Sequence, residues 1–355
     1  MLLVQPSEIF VAGDGKASYQ LLDVRAPIEV ERGALPNSVF EPILTNEERH
    51  EVGLCYRHKG QQAAIELGYE LTTPYLPERI AAWRKACETA PSAVMCWRGG
   101  LRSKLTCEFI ARGDVPRVAG GYKALRNYLL SQLEPRLKTK QVSVLTGLTG
   151  SGKTNLLREL RGQSSQLDIL DLEAEAHHRG SAFGKLDAQP SQASFENSIA
   201  VQILLSGQNR LIIEDESRGI GRLRLPGALY KAMSFAPLIR LEASLKERMN
   251  HIFDEYVRSS TESRGQVKTQ QHLESGILKL YQRLGWKTVK LCLESLEEAR
   301  QSGKWLEPSA HYVWIAILLN EYYDPLYQKA MKQNDRPVLF SGTYQQCLEY
   351  LAGSN

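Results

Sequence analysis

Short apolar runs alternate with longer amphipathic segments along most of the 355-residue chain. The runs are bounded by polar or turn-forming residues, which is typical of buried strands, and the segments between them have helical spacing. Strands that alternate with helices pair in mostly parallel sheets. The pattern therefore predicts an α/β fold, with strands over 21–24, 93–95, 142–145, 167–170, 211–213 and 238–241 and helices over 101–111, 122–130 and 153–160.

The pattern changes at two places, which suggests how the chain is divided. Residues 131–141 contain Pro135 and several basic side chains, and this composition favours a linker. Beyond Leu245 the spacing becomes helical. We therefore predict one domain over 1–138 and a second over 139–355, whose C-terminal region is helical.

The composition is that of an ordinary globular protein, with 43% hydrophobic and 24% charged residues. The N-terminus lacks a basic segment followed by an apolar one, and the apolar run 312–319 is far shorter than the roughly 20 residues of a membrane helix. The six cysteines form no Cys-x-x-Cys pair, which is typical of a reducing compartment. We expect a soluble, cytoplasmic protein without membrane association.

Positive charge is concentrated in one part of the chain. Residues 1–95 carry 9 Lys and Arg against 13 Asp and Glu, whereas residues 96–140 carry 10 against 3. This excess suits either a solvated helix face or a surface that meets a polyanion.

The basic stretch opens with a cysteine loop, Cys96-Trp97-Arg98-Gly99-Gly100-Leu101-Arg102. A thiol is a weak nucleophile until its thiolate is stabilised, and a helix N-terminus and nearby guanidinium groups both stabilise it. Gly99 and Gly100 allow the backbone to curl around an oxyanion, to which Arg98 and Arg102 offer positive charge. Cys96 is therefore the candidate catalytic residue, although a buried structural cysteine at a strand end is the alternative.

Two chemistries fit this loop. The Cys-x5-Arg spacing is that of a phosphatase whose cysteine takes up a phosphoryl group, whereas the cysteine of a rhodanese-type transferase carries sulfur or selenium. The second is favoured because Asp23-Val24-Arg25 resembles the strand and turn that open rhodanese domains, and Gly120-Gly121-Tyr122-Lys123 resembles their closing turn. Asp23 and Arg25 are equally interpretable as an ion pair.

A phosphate loop, Gly147-Leu148-Thr149-Gly150-Ser151-Gly152-Lys153-Thr154, follows the predicted strand 142–145. In this pattern backbone N–H groups hold a phosphate at a helix N-terminus. Lys153 would reach phosphate oxygens, and the hydroxyl of Thr154 would bind Mg²⁺. The candidate diphosphate-binding residues are Gly147, Gly150, Ser151, Gly152, Lys153 and Thr154.

Other polar residues follow strands of the same predicted domain. Glu214 and Asp215 end one strand, where a second metal or water-orienting site needs acids, and Asp215 is the second candidate Mg²⁺ ligand. Solvated strand caps and charged surface loops are the alternatives. The run Tyr322-Tyr323-Asp324-Pro325-Leu326-Tyr327 is interpreted as aromatic packing. The remaining candidates for the phosphate site are Asp171, His178, Arg179 and Arg218.

In their order, these motifs resemble those of the tRNA 2-selenouridine synthase family, in which a rhodanese domain precedes a P-loop domain. The resemblance extends over nearly the whole chain. It implies an N-terminal rhodanese-like domain followed by a P-loop NTPase-like parallel-sheet domain with a helical C-terminal region. Besides the segments above, it rests on His178-Arg179-Gly180-Ser181, Glu214-Asp215-Glu216-Ser217-Arg218 and Tyr322-Tyr323-Asp324-Pro325.

The resemblance also implies an activity. A transferase of this family converts 2-thiouridine at the wobble position of the tRNA anticodon to 2-selenouridine, with selenophosphate as selenium donor. Geranyl diphosphate first gives an S-geranyl intermediate, so the phosphate loop would hold a diphosphate leaving group and Cys96 would serve selenation. Two other functions fit the residues: a P-loop kinase or ATPase with a rhodanese-type sulfurtransferase or phosphatase domain, and an RNA-binding scaffold with a vestigial cysteine loop.

Overall fold

A computed structural model describes residues 2–111, 113–163, 167–178, 183, 188–332 and 335–353. The strands, in chain order, are β1 Leu3–Val4, β2 Gln20–Asp23, β3 Val39–Phe40, β4 Ser92–Met95, β5 Arg117–Val118, β6 Gln141–Thr146, β7 Leu167–Leu170, β8 Arg210–Glu214, β9 Gly219–Ile220, β10 Leu223–Arg224, β11 Leu238–Leu241 and β12 Val338–Gly342. The helices are α1 Pro6–Ile9, α2 Pro27–Glu31, α3 Asn46–Thr72, α4 Leu76–Ala86, α5 Leu101–Ile110, α6 Gly121–Lys138, α7 Lys153–Gln163, α8 Leu172–Ala176, α9 Gln192–Leu205, α10 Gly227–Phe235, α11 Leu245–Ile252, α12 Ser259–Arg264, α13 Gln266–Lys279, α14 Tyr281–Gln301, α15 Tyr312–Leu318, α16 Asp324–Lys332 and α17 Tyr344–Gly353.

The chain folds into two compact units. The first consists of Met1–Thr139 and Pro190–Gly207, and the second of Lys140–Gln189 and Gln208–Asn355. The segment Pro190–Gly207 contains α9, which packs on α6 within the first unit. The sequence-based division at residue 138 stays a prediction, and the contacts assign this additional segment to the first unit.

The first unit is built on five parallel strands in the order β1-β5-β4-β2-β3. In the register of the central pair, Asp23 at the end of β2 lies beside Met95 at the end of β4. Parallel strands end at the same edge of a sheet. The segment after Asp23 and the cysteine loop after Met95 are therefore neighbours.

The second unit contains five parallel strands in the order β12-β11-β6-β8-β7. The central strand β6 leads into the phosphate loop, and its Leu145 pairs with Glu214 of β8. The chain continues to β7 and β8 on one side of β6 and to β11 and β12 on the other. Ligands of open α/β sheets bind at such a switch point, beyond the carboxyl ends of the strands.

Helices α11 to α16 form a further core within the second unit. Phe253, Leu273, Ile277, Leu296 and Trp314 are almost fully buried in it. Among the described residues, no helix is both long and apolar enough to cross a membrane.

The α/β prediction is confirmed. The six predicted strands correspond to β2, β4, β6, β7, β8 and β11, with ends that differ by at most one residue. The pattern did not predict the short strands β1, β3 and β5, nor β12. Strand β12 lies at an edge of its sheet and is mostly exposed, although it begins with the three apolar residues 338–340.

The linker predicted over 131–141 is wrong for most of its length, because α6 continues to Lys138. One apolar face continues on both sides of the exposed Pro135, and its burial outweighs the backbone hydrogen bond that proline removes. The buried residues of this face recur every three or four positions and are Tyr122, Leu125, Leu129, Leu133 and Leu137.

Leu133→Ala tests this helix against a linker. We expect the substitution to lower the free energy of unfolding by about 2–4 kcal/mol, because it leaves a cavity in a packed face. Urea unfolding followed by circular dichroism measures the change. Leu278→Ala, at a side chain that is 46% exposed, is the control and should cost less than about 1 kcal/mol. Equal stability of the two variants would support a linker.

Candidate functional site

The cysteine loop packs closely against the turn that begins α6. The Tyr122 N–H donates to the Cys96 carbonyl oxygen at 2.9 Å. Gly121 has φ 60°, and a side chain at this position would clash with backbone atoms of Cys96 and Gly99. The loop and the Gly120-Gly121 turn therefore depend on each other for their conformation.

Cys96 lies at the N-terminal end of α5. Its side chain is only 3% exposed, and its thiol donates to Ser103 Oγ at 3.3 Å. Gly100 is the N-cap of α5, so Cys96 lies in the loop that leads into the N-terminus of this helix. Burial raises the pKa of the Cys107 thiol on the same helix to about 12. The assignment of Cys96 as the catalytic residue stays a prediction.

The two arginines of the loop have different surroundings. Arg102 donates to both carboxylate oxygens of Glu29, at 2.5 and 3.0 Å. Arg98 is exposed and makes no hydrogen bond or ion pair with any residue that the structure describes. Arg98 is therefore available to an incoming anion, whereas binding of an anion to Arg102 competes with Glu29.

The pKa values of this pair reflect its burial and its charges. Burial raises the pKa of the Glu29 carboxyl, but the hydrogen bonds and charge of Arg102 outweigh it and hold that pKa below its ordinary value. Burial lowers the pKa of Arg102, and the contact with Glu29 outweighs this effect and raises it. The pair is therefore charged at neutral pH.

Asp23 and Arg25 form a fully buried ion pair with a shortest N–O distance of 2.6 Å. The Arg25 guanidinium also donates to Gly33 O at 2.9 Å and lies 3.8 Å from the centre of the Tyr122 ring. These contacts match the ion-pair interpretation. They also link the strand end at Asp23 to the turn on which the cysteine loop packs.

Most of the positive charge between residues 96 and 140 is engaged within the protein. Of the basic side chains described in this stretch, Arg98 and Lys123 make no ion pair or hydrogen bond. The others interact with Glu29, Glu108, Glu196, Glu134 or Asp168, or with the backbone carbonyls of Gly99 and Ser206. Much of the charge excess is therefore paired, although Lys104 and Lys138 lie in exposed ion pairs and Arg98 and Lys123 face solvent without a partner among the described residues.

The phosphate loop connects β6 to α7. Lys153 Nζ donates to Gly147 O at 3.1 Å, and Gly150 and Gly152 have positive φ angles of 78° and 93°. A side chain at Gly150 would clash with the backbone of Arg248. The sequence therefore needs glycine here for packing as well as for the turn.

Arg248, which is 3% exposed, holds the loop in place. Its Nε donates to Thr149 O at 2.8 Å, and its two terminal nitrogens bind the Asp324 carboxylate at 2.9 and 2.6 Å. Tyr327 Oη lies 3.0 Å from Thr146 Oγ1 at the end of β6. The tyrosine-rich run that was interpreted as packing therefore also supports the phosphate loop.

A cavity of about 360 Å³ lies over the phosphate loop. Thr154 Oγ1 donates to Glu214 Oε1 at 3.4 Å on its wall. Carboxylate oxygens of Glu173, Glu214 and Glu216 lie within 4.8 Å of one another. The site therefore combines a phosphate loop with three acids that converge beside it.

The three acids repel one another. Burial raises the pKa of Glu214 well above its ordinary value, and the Glu173 charge adds to this effect. Burial and Glu173 also raise the pKa of Glu216 to about 8, while Lys153 opposes the shift. Glu214 Oε2 is buried and has no hydrogen-bond partner among the described residues. This oxygen-rich, under-neutralised set fits a divalent cation such as Mg²⁺.

Asp215, the acid predicted to bind Mg²⁺ with Thr154, lines the phosphate cavity, but its carboxylate has other partners. Its carboxylate accepts from Thr146 Oγ1 at 2.5 Å and pairs with Arg336 at 3.4 Å. Glu214 is the acid that contacts Thr154. The Mg²⁺ assignment to Thr154 and Asp215 stays a prediction, and the geometry adds Glu214 as a candidate ligand.

The other residues predicted to contribute to the phosphate site do not line its cavity among the residues that the structure describes. Asp171 caps α8 by accepting from the Ala174 N–H at 2.9 Å, and Arg218 lies over the Tyr230 ring at 5.8 Å. Neither these two residues nor His178 lines the phosphate cavity among the described residues, and Arg179 lies outside the described part of the chain.

Sequence reasoning missed several residues of the cavity wall. Glu173 lies two positions after Asp171, so the strand-end acid was a usable signal for it. The others belong to segments without a phosphate-binding motif, and they are Arg158, His251, Asp254, Glu255 and Tyr256. Three of these lie in the π-helical turn Phe253–Arg258, a conformation that often occurs at functional sites.

A small apolar cavity of about 30 Å³ adjoins the phosphate cavity. Thr149, Ile252, Tyr256 and Tyr323 line both. The rest of the second wall is aromatic or aliphatic and consists of Phe183, Leu273, Trp314, Ile315, Leu318 and Leu319. The site thus places a small apolar pocket beside the surface that would bind an anionic group.

Comparison with known proteins identifies the family. A sequence profile described as the tRNA 2-selenouridine synthase AAA domain matches residues 140–355. The proteins named tRNA 2-selenouridine synthase from Hahella chejuensis and Shewanella oneidensis are each 39% identical, over 94% and 98% of this chain and 91% and 94% of theirs. The chain belongs to the tRNA 2-selenouridine synthase family. A relative of the same name from Shewanella denitrificans is 40% identical over 91% of both chains.

Membership in the tRNA 2-selenouridine synthase family applies to both units, because these relatives cover at least 91% of the chain. The resemblance that the motifs indicated is therefore confirmed. The assignment of the first unit as a rhodanese-like domain stays a prediction.

Glu29→Gln tests the ion pair between Glu29 and Arg102 of the cysteine loop. Because the folded-state pKa of Glu29 is lowered, the ionised pair stabilises the protein above the ordinary carboxyl pKa, and this contribution is lost as the pH falls through the lowered value. We expect the variant to be about 1–3 kcal/mol less stable at neutral pH, since Arg102 is partly exposed. Its stability should also change less between neutral and acid pH.

Urea unfolding at both pH values measures this difference. The matched control is Glu31→Gln, at an exposed carboxyl at the end of the same helix. If the free energy of unfolding of Glu29→Gln fell between neutral and acid pH as much as that of the wild type, the stabilising role of the Glu29–Arg102 ion pair would be contradicted.

Proposed function

We propose that the protein is a tRNA 2-selenouridine synthase that acts in the cytoplasm on wobble 2-thiouridine. It uses geranyl diphosphate to form an S-geranyl intermediate and selenophosphate to replace sulfur with selenium. The observation that carries the proposal is the shared wall of the phosphate cavity and the apolar cavity. Family membership supports the overall conversion, and the cavities support the choice of a prenyl diphosphate.

The apolar cavity favours an amphiphilic diphosphate over a nucleotide. A nucleotide base and ribose need hydrogen-bond partners, because a buried polar group without one costs free energy. Beyond the residues that both cavities share, Trp314 is the one described lining side chain with a polar group, and its indole N–H donates to His311 Nδ1 at 3.1 Å. A hydrocarbon chain needs no such partners.

In the first step, the sulfur of 2-thiouridine attacks C1 of geranyl diphosphate with a lone pair. The C–S bond forms, the C–O bond breaks, diphosphate leaves with the bonding electrons, and the base releases its N3 proton. Lys153 and the N–H groups of the phosphate loop stabilise the charge that develops on the leaving group. A divalent cation held by Thr154 and the Glu173, Glu214 and Glu216 carboxylates would add to this neutralisation.

The second step belongs to the cysteine loop. Selenophosphate and water supply hydroselenide and phosphate, and hydroselenide adds to C2 of the base. The C2–S bond then breaks, and geranylthiolate leaves and takes up a proton. Arg98 is suited to hold the selenophosphate anion because it is exposed and unpaired among the described residues. We assign Cys96 to this step: its thiolate attacks the phosphorus of selenophosphate, the P–Se bond breaks and releases hydroselenide, and water hydrolyses the resulting cysteinyl phosphate to phosphate.

Lys153→Ala should slow geranylation of 2-thiouridine in tRNA by about a hundredfold or more, because a cation at the leaving group is lost. Mass spectrometry of nucleosides after incubation with geranyl diphosphate measures the effect. Lys268→Ala, at an exposed lysine of α13, is the control and should keep the wild-type rate. Nucleotide hydrolysis that depends on Lys153, together with indifference to geranyl diphosphate, would instead support a kinase or ATPase.

Cys96→Ala should block selenation and leave geranylation intact, so that geranylated tRNA accumulates. The same measurement, with selenophosphate present, quantifies 2-selenouridine and S-geranyl-2-thiouridine. Cys55→Ala removes a half-buried thiol of α3 and is the matched control. Normal formation of 2-selenouridine by Cys96→Ala would exclude a catalytic role for this thiol.

A further inference from the structure

The first unit contains an apolar cavity of about 240 Å³ beside the cysteine loop. Leu101 and Arg102, at the start of α5, form part of its wall. Ser103, the next residue, is the hydrogen-bond partner of the Cys96 thiol. The cavity and the candidate catalytic residue therefore share the first turn of one helix.

The other side of this cavity is made by α3, which reverses direction at Gly60. Gly60 has φ 85°, a conformation that interrupts the helix. A Cβ atom added at Gly68 would lie 3.8 Å from Val52 Cγ2, so the two halves of α3 face each other. The cavity lies among these two halves and α5, and Gly68 forms part of its wall.

The chemistry of the wall excludes most polar ligands. Its surface is mainly contributed by aliphatic and aromatic side chains, including Val52, Ile65 and Leu105. Thr72 Oγ1 already donates to Gly68 O at 2.7 Å, and Arg102 is held by Glu29. The other polar groups of the wall are the hydroxyls of Tyr56 and Tyr69 and the Gln61 amide, all on exposed residues, so a hydrocarbon group fits the interior of the cavity.

The rim of the cavity is also apolar although water reaches it. Tyr56, Tyr69 and Leu101 are 58%, 41% and 40% exposed. Contiguous exposed apolar side chains around a cavity mark a binding surface more often than isolated ones do. The rim therefore extends the apolar surface outward from the cavity.

We propose that this cavity binds the prenyl chain of the S-prenyl nucleoside during the second step. The inference rests on the proposed function, because a prenylated sulfur is then the leaving group at the cysteine loop. Holding its chain here places the C2–S bond near the loop and favours prenylated over unmodified 2-thiouridine. The cavity is thus a specificity site for the intermediate, separate from the phosphate loop that binds the donor.

A binding experiment tests the proposal without catalysis. The probes are anticodon stem–loop RNAs that carry S-geranyl-2-thiouridine or S-methyl-2-thiouridine at the wobble position, and fluorescence anisotropy gives their dissociation constants. The wild-type protein should bind the geranyl RNA about 10- to 100-fold more tightly, since each buried methylene contributes to affinity. Val52→Phe should fill the cavity and bring this ratio close to one.

Two further variants control for misfolding. Val267→Phe makes the same substitution at a side chain that is 68% exposed on α13, and it should keep the wild-type ratio. Ile65→Ala enlarges the cavity and should raise the affinity for an S-farnesyl RNA relative to the geranyl RNA severalfold. A misfolded protein would not gain such a preference.

Catalytic measurements separate this inference from the proposed function. Val52→Phe should geranylate 2-thiouridine RNA within about twofold of the wild-type rate, yet convert the S-geranyl RNA about 10- to 100-fold more slowly. If the wild-type protein neither geranylates nor selenates RNA, the proposed function fails, and the binding ratios still decide the inference.

Retention of the wild-type binding ratio by Val52→Phe, with no change of chain-length preference in Ile65→Ala, would overturn the proposal. The chain would then bind elsewhere, with the apolar cavity beside the phosphate loop as the alternative receptor. A change in sedimentation mass of Val52→Phe with unaltered ratios would likewise overturn it and identify the rim as a protein interface.

Discussion

Parallel pairing of strands is the constraint on which both sites depend. Backbone hydrogen bonds fix Asp23 beside Met95 in one sheet and Leu145 beside Glu214 in the other. Each register brings together chain segments that are far apart in sequence, at the edge where parallel strands end. The cysteine loop thereby meets the Arg25 ion pair, and the phosphate loop meets the acids after β8. The strands that precede each loop thus determine where the side chains of that loop lie.

The parts of the site that the sequence predicted are those encoded within a few residues of one strand end. The cysteine loop and the phosphate loop both carry their own turn-forming glycines and charges. The contributions that were missed come from other elements. Arg248 and Asp324 hold the phosphate loop from two helices of the C-terminal region. Glu29 forms an ion pair with Arg102, which lies 73 positions away in the sequence. No local pattern records such pairings, because only the fold brings the partners together.

The net charge of residues 96–140 was likewise a poor guide to the surface that they form. The basic stretch suggested a surface for a polyanion, but most of its cations are paired with carboxylates or backbone carbonyls inside the protein. Arg98 and Lys123 have no partner among the described residues, and Lys104 and Lys138 are exposed in surface ion pairs. The cations available to a polyanion are therefore fewer than the charge of the segment suggests. A net charge over a segment does not distinguish these cases, because it counts paired and unpaired groups alike.

The position of α9 has a consequence for how the chain folds and how it can be divided. The helix lies between β7 and β8 of the second unit in sequence, yet Asn197 donates to Tyr122 Oη and to Ala34 O within the first. A fragment that stops at Thr139 would lack these partners and expose the face of α6 that α9 covers. A fragment that begins at Lys140 would carry α9 without its packing surface. Neither the cysteine loop nor the phosphate loop therefore lies on a contiguous piece of chain that is complete by itself, and the smallest self-sufficient length of polypeptide is close to the whole.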